Sequence, residues 1–240
     1  MNDADLSTTP HRVVGREAWL AARKALLARE KEFTRLRDEL SAARRALPWV
    51  RVERSYLFDG PNGEESLSDL FEGRSQLLVY HFMFDPDWPE GCKSCSFWAD
   101  NFQGAIAHLN QRDVTMIAIS RAPLAKIEAF RKRMGWNFKW VSSFGNDFNR
   151  DFGVSFTAED RARGVPLYNF GTQMFGGPEA PGMSAFREDG NAIFHTYSCY
   201  ARGLDALNGA YQLLDLTSKG RDEAGLPYAM AWVRHRDKYE

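Results

Sequence analysis

Two of the three cysteines in this 240-residue chain, Cys92 and Cys95, lie three apart in the stretch Asp-Trp-Pro-Glu-Gly-Cys-Lys-Ser-Cys-Ser-Phe. Three kinds of chemistry fit that spacing. The pair can open and close a disulfide, supply half of a metal site, or simply pack as two small hydrophobes. Thiol exchange makes the most specific structural demand. The first thiol must stand at the start of a helix, where unpaired backbone N–H groups and the helix dipole favour thiolate over thiol. The second, three residues on, then lies almost one turn away on the same face, placed to attack a mixed disulfide made by the first. Cys92 becomes the exposed attacker and Cys95 the shielded resolver. Lys93 adds a positive charge that should lower the thiol pKa, whereas Asp85, Asp87 and Glu90 should raise it wherever they come within roughly 4–6 Å. Trp88, four residues before Cys92, is a candidate wall of the site.

The surrounding sequence supplies elements that suit this demand. Leu77 to Phe84 (LLVYHFMF) reads as a buried strand, and Phe97, Trp98, Phe102, Ile106 and Leu109 recur at helical spacing from within the motif. Val114 to Ser120 is a continuous apolar run of the kind found in a central strand covered on both faces. A second helix is predicted from Pro123 to a terminating Gly135. Strand, helix, strand, helix argues for an α/β layer with a right-handed parallel crossover. Upstream, Trp19, Leu26, Phe33, Leu40 and Leu47 fall on a seven-residue repeat, which predicts one long helix from Arg16 to Leu47 ended by Pro48. It is either an arm on the domain's own surface or a contact between two copies of the chain. Downstream come a further strand at Phe138 to Val141 and a long Gly/Pro-punctuated excursion from Thr157 to Gly182. A hairpin of Met183 to Arg187 with Ala192 to Tyr197 follows, then a final helix through Leu204, Leu207, Tyr211 and Leu214. The predicted organisation is an arm and helix over 1–48, an α/β domain over 49–218 and a tail over 219–240.

Composition narrows the partners. Thirty-one basic against 32 acidic residues leave a net charge of −1, which supplies no field for nucleic acid or anionic lipid. No apolar run approaches the roughly 18 residues that span a bilayer. The start, MNDADLSTTPHR, lacks an apolar signal segment, so a cytoplasmic, reducing location is expected, where paired cysteines are seldom structural staples.

On GCKSCSFWADNF, IFHTYSCYARGLD and the strand-like runs above, the chain resembles a bacterial thioredoxin-like family of unknown function within the thioredoxin and peroxiredoxin superfamily. Its members are described as predicted dithiol-disulfide oxidoreductases. The likeness runs from about Arg12 to Thr217. It implies a thioredoxin-like mixed sheet flanked by helices, a redox pair at Cys92 and Cys95, and no bound cofactor. It also implies a protein or small-molecule disulfide or thiol as substrate, with a cellular thiol as reductant. Thioredoxins carry a cis-proline facing the dithiol just before the closing hairpin; that position here is Met183, with Pro181 two residues earlier. Lys93 and Ser94 stand where thioredoxin has Gly and Pro.

Rival readings remain at this level. A zinc site would need His195 and Cys199 as further ligands, yet on an extended strand the two are roughly 13 Å apart, so no metal is assigned. A peroxiredoxin-like peroxidase is the enzymatic alternative, although its Thr and Pro pocket positions are Pro89 and Asp85 here. A binding or redox-sensor module on the same fold is the non-enzymatic one. His81 and His108 are expected to be strand and helix surface or packing residues rather than catalysts, and one of His195 and Tyr197 is expected to face the dithiol.

Overall fold

The computed structural model describes residues 11–165 and 167–240. The first ten residues, on which the absence of a signal segment was read, lie outside the described residues. The chain divides after Leu47 into two compact units. In the first, helix α1 runs Arg16–Arg45 and none of its residues is buried. Its seven-residue stripe of Trp19, Leu26, Phe33 and Leu40 is exposed along its length. The helix stops two residues short of Leu47, since Pro48 cannot supply a backbone N–H to extend it.

The second unit, Pro48–Glu240, is built on one mixed sheet. Its strands are β1 (Val50–Arg51), β2 (Leu57–Gly60), β3 (Gly63–Ser66), β4 (Gln76–His81), β5 (Val114–Ser120), β6 (Trp140–Ser142), β7 (Gly182–Asp189) and β8 (Ala192–Tyr200). They lie in the order β1-β8-β7-β4-β5-β6-β2-β3. β4, β5 and β6 are parallel neighbours, while β7 pairs antiparallel with the other side of β4 and β8 pairs antiparallel with β7. Helix α2 (Lys93–Phe102) and α3 (Ile106–Asn110) make the first crossover, and α4 (Leu124–Met134) makes the second. This β4-α2-β5-α4 unit closed by an antiparallel hairpin is the thioredoxin-like arrangement expected.

The apolar runs of β4 and β5 follow from burial on both faces. Tyr80, Met116 and Ala118 belong to a cluster shared with α2 and α4. Leu77, Val79, Ile117 and Ile119 belong to a second cluster on the opposite face, with Tyr56, Phe58, Phe71 and Phe148. Two predicted helices are broken. The periodicity from Phe97 to Leu109 divides at Gln103–Ala105, around Gly104, a residue that weakens helix interiors. The terminal one divides into a 3-10 turn, Ala201–Leu207, and α8 (Gly209–Leu214), because Asn208 turns to cap α8 by accepting the Tyr211 N–H at 3.0 Å. The excursion between β6 and β7 contains the short helices α5 (Phe148–Asp151), α6 (Ala158–Ala162) and α7 (Tyr168–Gly171). No described helix is long and apolar enough to cross a membrane.

Phe148 anchors the second cluster: it is fully buried and meets Tyr56 and Phe58 edge-on, each with ring centres 5.1 Å apart. Phe148→Ala is expected to cost about 3–5 kcal/mol. Urea unfolding should report a lower midpoint with an unchanged slope.

Candidate active site

The parallel pair β4 and β5 end at the same edge of the sheet, and the loop leaving β4 there leads to Cys92 and, in the first turn of α2, Cys95. Phe82 continues the pairing by donating its N–H to the Ile119 carbonyl at 3.0 Å. Met83 follows, and its backbone grips the motif twice. Its carbonyl accepts the Cys92 N–H at 3.1 Å, and its own N–H donates to the Cys95 sulfur at 3.4 Å. The intervening loop is held from α4, where the Lys126 ammonium donates to the carbonyls of Pro86 (2.6 Å) and Trp88 (2.9 Å). Gly91 is required for space. A Cβ there would stand 2.8 Å from ring carbons of both Phe82 and Phe130.

Cys92 is the N-cap of α2, with extended backbone (φ −58°, ψ 128°), and its sulfur accepts the Cys95 N–H at 3.5 Å. Hydrogen bonds from the Cys95 thiol, and from backbone N–H groups of Cys95 and Ser94, outweigh burial and bring the Cys92 thiol down to about 7. Cys95 is 2% exposed. Its thiol is pushed well up, first by burial and then by the neighbouring Cys92 sulfur, against the Met83 N–H and the Tyr80 hydroxyl, which favour the thiolate. The two thiols therefore titrate in opposite directions. Cys92 is also the more accessible of the two, being half-buried.

The other sequence candidates divide. Lys93 is turned toward the Tyr228 ring, 6.0 Å from its centre. Trp88 and Tyr197 pack against the cluster that contains Cys95, and Met183 is buried within it. Pro181 rather than Met183 lines the cavity beside Cys95, and its carbonyl accepts the Tyr168 hydroxyl at 2.5 Å. His195 and Tyr197 do not share a face. A bulge between Ala185 and Phe186 pairs Ala185 with Tyr197 but Phe186 with His195, and the extra residue flips the alternation. Tyr197 thus faces the dithiol's cluster, while His195 packs on Phe152 and Phe186 across the sheet and meets Ser198 Oγ at 2.7 Å. His81 is fully buried on that far side, against Ser184 Oγ at 2.8 Å.

A family model described as "Bacterial protein of unknown function (DUF899)" matches residues 8–239. The chain belongs to that family. No curated protein matches it. Among solved structures it is similar to the peroxidoxin BcpB from Mycobacterium tuberculosis, at 14% identity and TM-score 0.46 over 69% of this chain and 96% of that one. It is also similar to peroxiredoxin Q of Xanthomonas campestris (15%, TM-score 0.41, 72% and 93%). The mitochondrial 2-cys peroxiredoxin from Plasmodium falciparum is a further neighbour (11%, TM-score 0.41, 70% and 92%).

Sequence reasoning missed the segment after Ser218, which docks beside the motif. Val233 is fully buried, Trp232 meets Phe97 edge-on at 5.4 Å, and the His235 Nε2–H donates to the Gly91 carbonyl at 2.9 Å. The signal was present in the apolar run Ala229–Val233 (AMAWV), which is out of place in a solvated tail. Also missed was Glu179, a buried carboxylate bound by Arg121 (2.9 Å) and Ser155 (2.7 Å), whose acidity burial weakens to about 7. It ties the excursion leading to Pro181 onto the end of β5.

Gly91→Ala is expected to lower stability by about 1–3 kcal/mol through overpacking against the two rings. Gly104→Ala, whose Cβ would meet nothing within 4 Å, should show no such loss in the same denaturation measurement.

Proposed function

We propose that this chain is a dithiol-disulfide oxidoreductase in which Cys92 attacks and Cys95 resolves. The observation that carries the reading is the Cys92 sulfur at the start of α2, accepting hydrogen bonds from the residues that follow it. A thiol that ionises near neutral pH combines a substantial thiolate fraction with retained nucleophilicity, the condition for fast exchange.

The exchange proceeds in two displacements. The Cys92 thiolate attacks one sulfur of a substrate disulfide; a Cys92–substrate bond forms and the other half leaves as a thiolate. Cys95 then transfers its proton to a departing thiolate and attacks the Cys92 sulfur, forming the Cys92–Cys95 disulfide and expelling the second half. Two electrons pass from the dithiol to the substrate, and a thiol reductant restores the pair. The structure supports this timing. The negative Cys92 sulfur is one of the causes that raise Cys95. Once Cys92 is in a mixed disulfide that charge is gone, while the Met83 N–H remains to steady a Cys95 thiolate. The resolver is thereby activated only after the attacker has been used.

Alkylation of Cys92 by iodoacetamide should rise through pH 7 and level off above about pH 8, well below the range of an ordinary thiol. The depressed pKa sets the sign: the reactive form is gained as pH rises through it. Thiol-coupled disulfide reduction should fall to the uncatalysed rate in Cys92→Ser. Cys95→Ser should keep the alkylation rate and accumulate one mixed disulfide per chain, visible as a mass increment. Retention of full turnover by Cys92→Ser overturns the assignment, and hydrogen peroxide consumption outpacing disulfide reduction reassigns the pair to a peroxidase.

A further inference from the structure

A cavity of about 460 Å³ opens against the motif, with Ser94 and Cys95 in its wall. That volume falls within the range of small-molecule sites. Its lining is dominated by Tyr80, Trp98, Tyr168, Phe175, Leu204 and Met230. Charged residues also border it: Asp205 and Arg221 are paired with each other, while Arg202 stands 3.8 Å from Asp205 with its side chain largely exposed. Arg221 forms two hydrogen bonds to Asp205, at 2.8 and 2.9 Å, donates to Asp215 at 2.6 Å, and lies 4.1 Å over the Tyr211 ring. Glu223 accepts from the Tyr211 hydroxyl (2.7 Å), the Trp232 indole (2.7 Å) and the Met230 N–H (2.9 Å). The phenols are engaged as well, since Tyr80 donates to the Cys95 carbonyl at 3.4 Å and Tyr168 to Pro181. What the wall offers an incoming molecule is therefore aromatic and aliphatic surface.

The wall also has a lid side. Glu223, Ala229 and Met230 belong to the C-terminal segment. That segment is fixed further along by Val233, by His235 on Gly91, and by Arg133 joining Glu90 to Asp237.

Resting on the dithiol reading above, we infer that the substrate is a small disulfide with an aromatic arm, which occupies this cavity while Cys92 attacks its sulfur. The arm that stays on Cys92 after the first displacement lies along Cys95, which then releases it by closing the Cys92–Cys95 bond. Electrons and protons balance as in the exchange already described, and a small thiol regenerates the pair.

The test separates binding from chemistry. Dithiodipyridine, neutral above its pyridine pKa, is compared with bis(hydroxyethyl) disulfide and with insulin, each rate divided by that of the same disulfide with dithiothreitol. Dipyridylethane, in which two CH₂ groups replace the sulfurs, serves as an unreactive ligand. The expected result is at least a tenfold normalised preference for dithiodipyridine over both others, and saturable binding of dipyridylethane. Ala229→Trp and Met174→Trp, which fill the cavity from two sides, should each weaken that binding at least tenfold while leaving Cys92 alkylation unchanged. Absence of dipyridylethane binding in a protein whose dithiol is oxidised by dithiodipyridine overturns the cavity assignment and leaves the exchange reading standing. Binding lost in both variants supports the cavity assignment even if Cys92→Ser proves active and the exchange reading falls. Equal normalised rates for all three disulfides overturn the substrate class.

Discussion

The backbone of one residue carries more of this site than any side chain does. Met83 donates its N–H to the Cys95 sulfur and accepts the Cys92 N–H at its carbonyl, so a single residue fixes both members of the pair relative to the sheet. A buried sulfur that can become negative needs a donor close by, because burial alone disfavours the charged form. The donor must also be immobile, and Met83 is made so by its position immediately after β4 and the Phe82–Ile119 bond. Everything that places β4 beside β5 therefore also places the Cys95 thiol. Gly91 serves the same constraint from the other side, since only a residue without a Cβ lets the chain pass between Phe82 and Phe130 and begin a helix there.

The two faces of the sheet divide the labour. One face holds Tyr80, Phe82, α2 and the dithiol. The other holds an aromatic layer crossed by a polar chain from His81 through Ser184 and Ser198 to His195, with contacts of 2.8, 2.8 and 2.7 Å. Burial holds His81 down to about 3, so it stays neutral in that layer. Its role is to satisfy polar groups across β4, β7 and β8, and it is separated from the sulfurs by the thickness of the sheet. The bulge at the β8 crossing makes this separation possible, because it sends Tyr197 to one face and His195 to the other.

That bulge also marks the limit of what local pattern reveals. The cysteine spacing, the strand before it and the helix after it were legible because each depends on residues within about one turn or one strand of the sulfur. The buried parallel runs were legible because Met116 to Ile119 is an unbroken apolar run that supplies both faces of the strand. The bulge, the cap at Asn208 and the docking of residues 221–238 depend on partners far along the chain. His235 meets Gly91, and Glu179 meets Arg121, across separations that no window of sequence spans. Pro181 belongs with these. Counting back from Phe186 put Met183 beside the dithiol, but β7 already starts at Gly182, and its pairing draws Met183 into the core.

The charges around the motif show why counting them could not settle the acidity of Cys92. Lys93 and Glu90 are the nearest in sequence, one expected to lower the pKa and the other to raise it. Glu90 is bound by Arg133 at 2.8 Å and Lys238 at 3.0 Å, and Lys93 is directed to Tyr228. Asp85 accepts the Asp87 N–H at 2.9 Å. With Glu90 paired and Lys93 turned aside, the balance falls to short-range donors, the Cys95 thiol and the first N–H groups of α2. Such dipoles act at contact distance and are screened little by salt, unlike solvent-exposed charges separated by more than a Debye length. The acidity of Cys92 is thus set by the Cys95 thiol and the first N–H groups of its own helix, and that of Cys95 by burial and the Cys92 sulfur against the Met83 N–H. Both follow from the course of the main chain, which is why a thioredoxin-like frame can carry a dithiol whose intervening residues are Lys93 and Ser94.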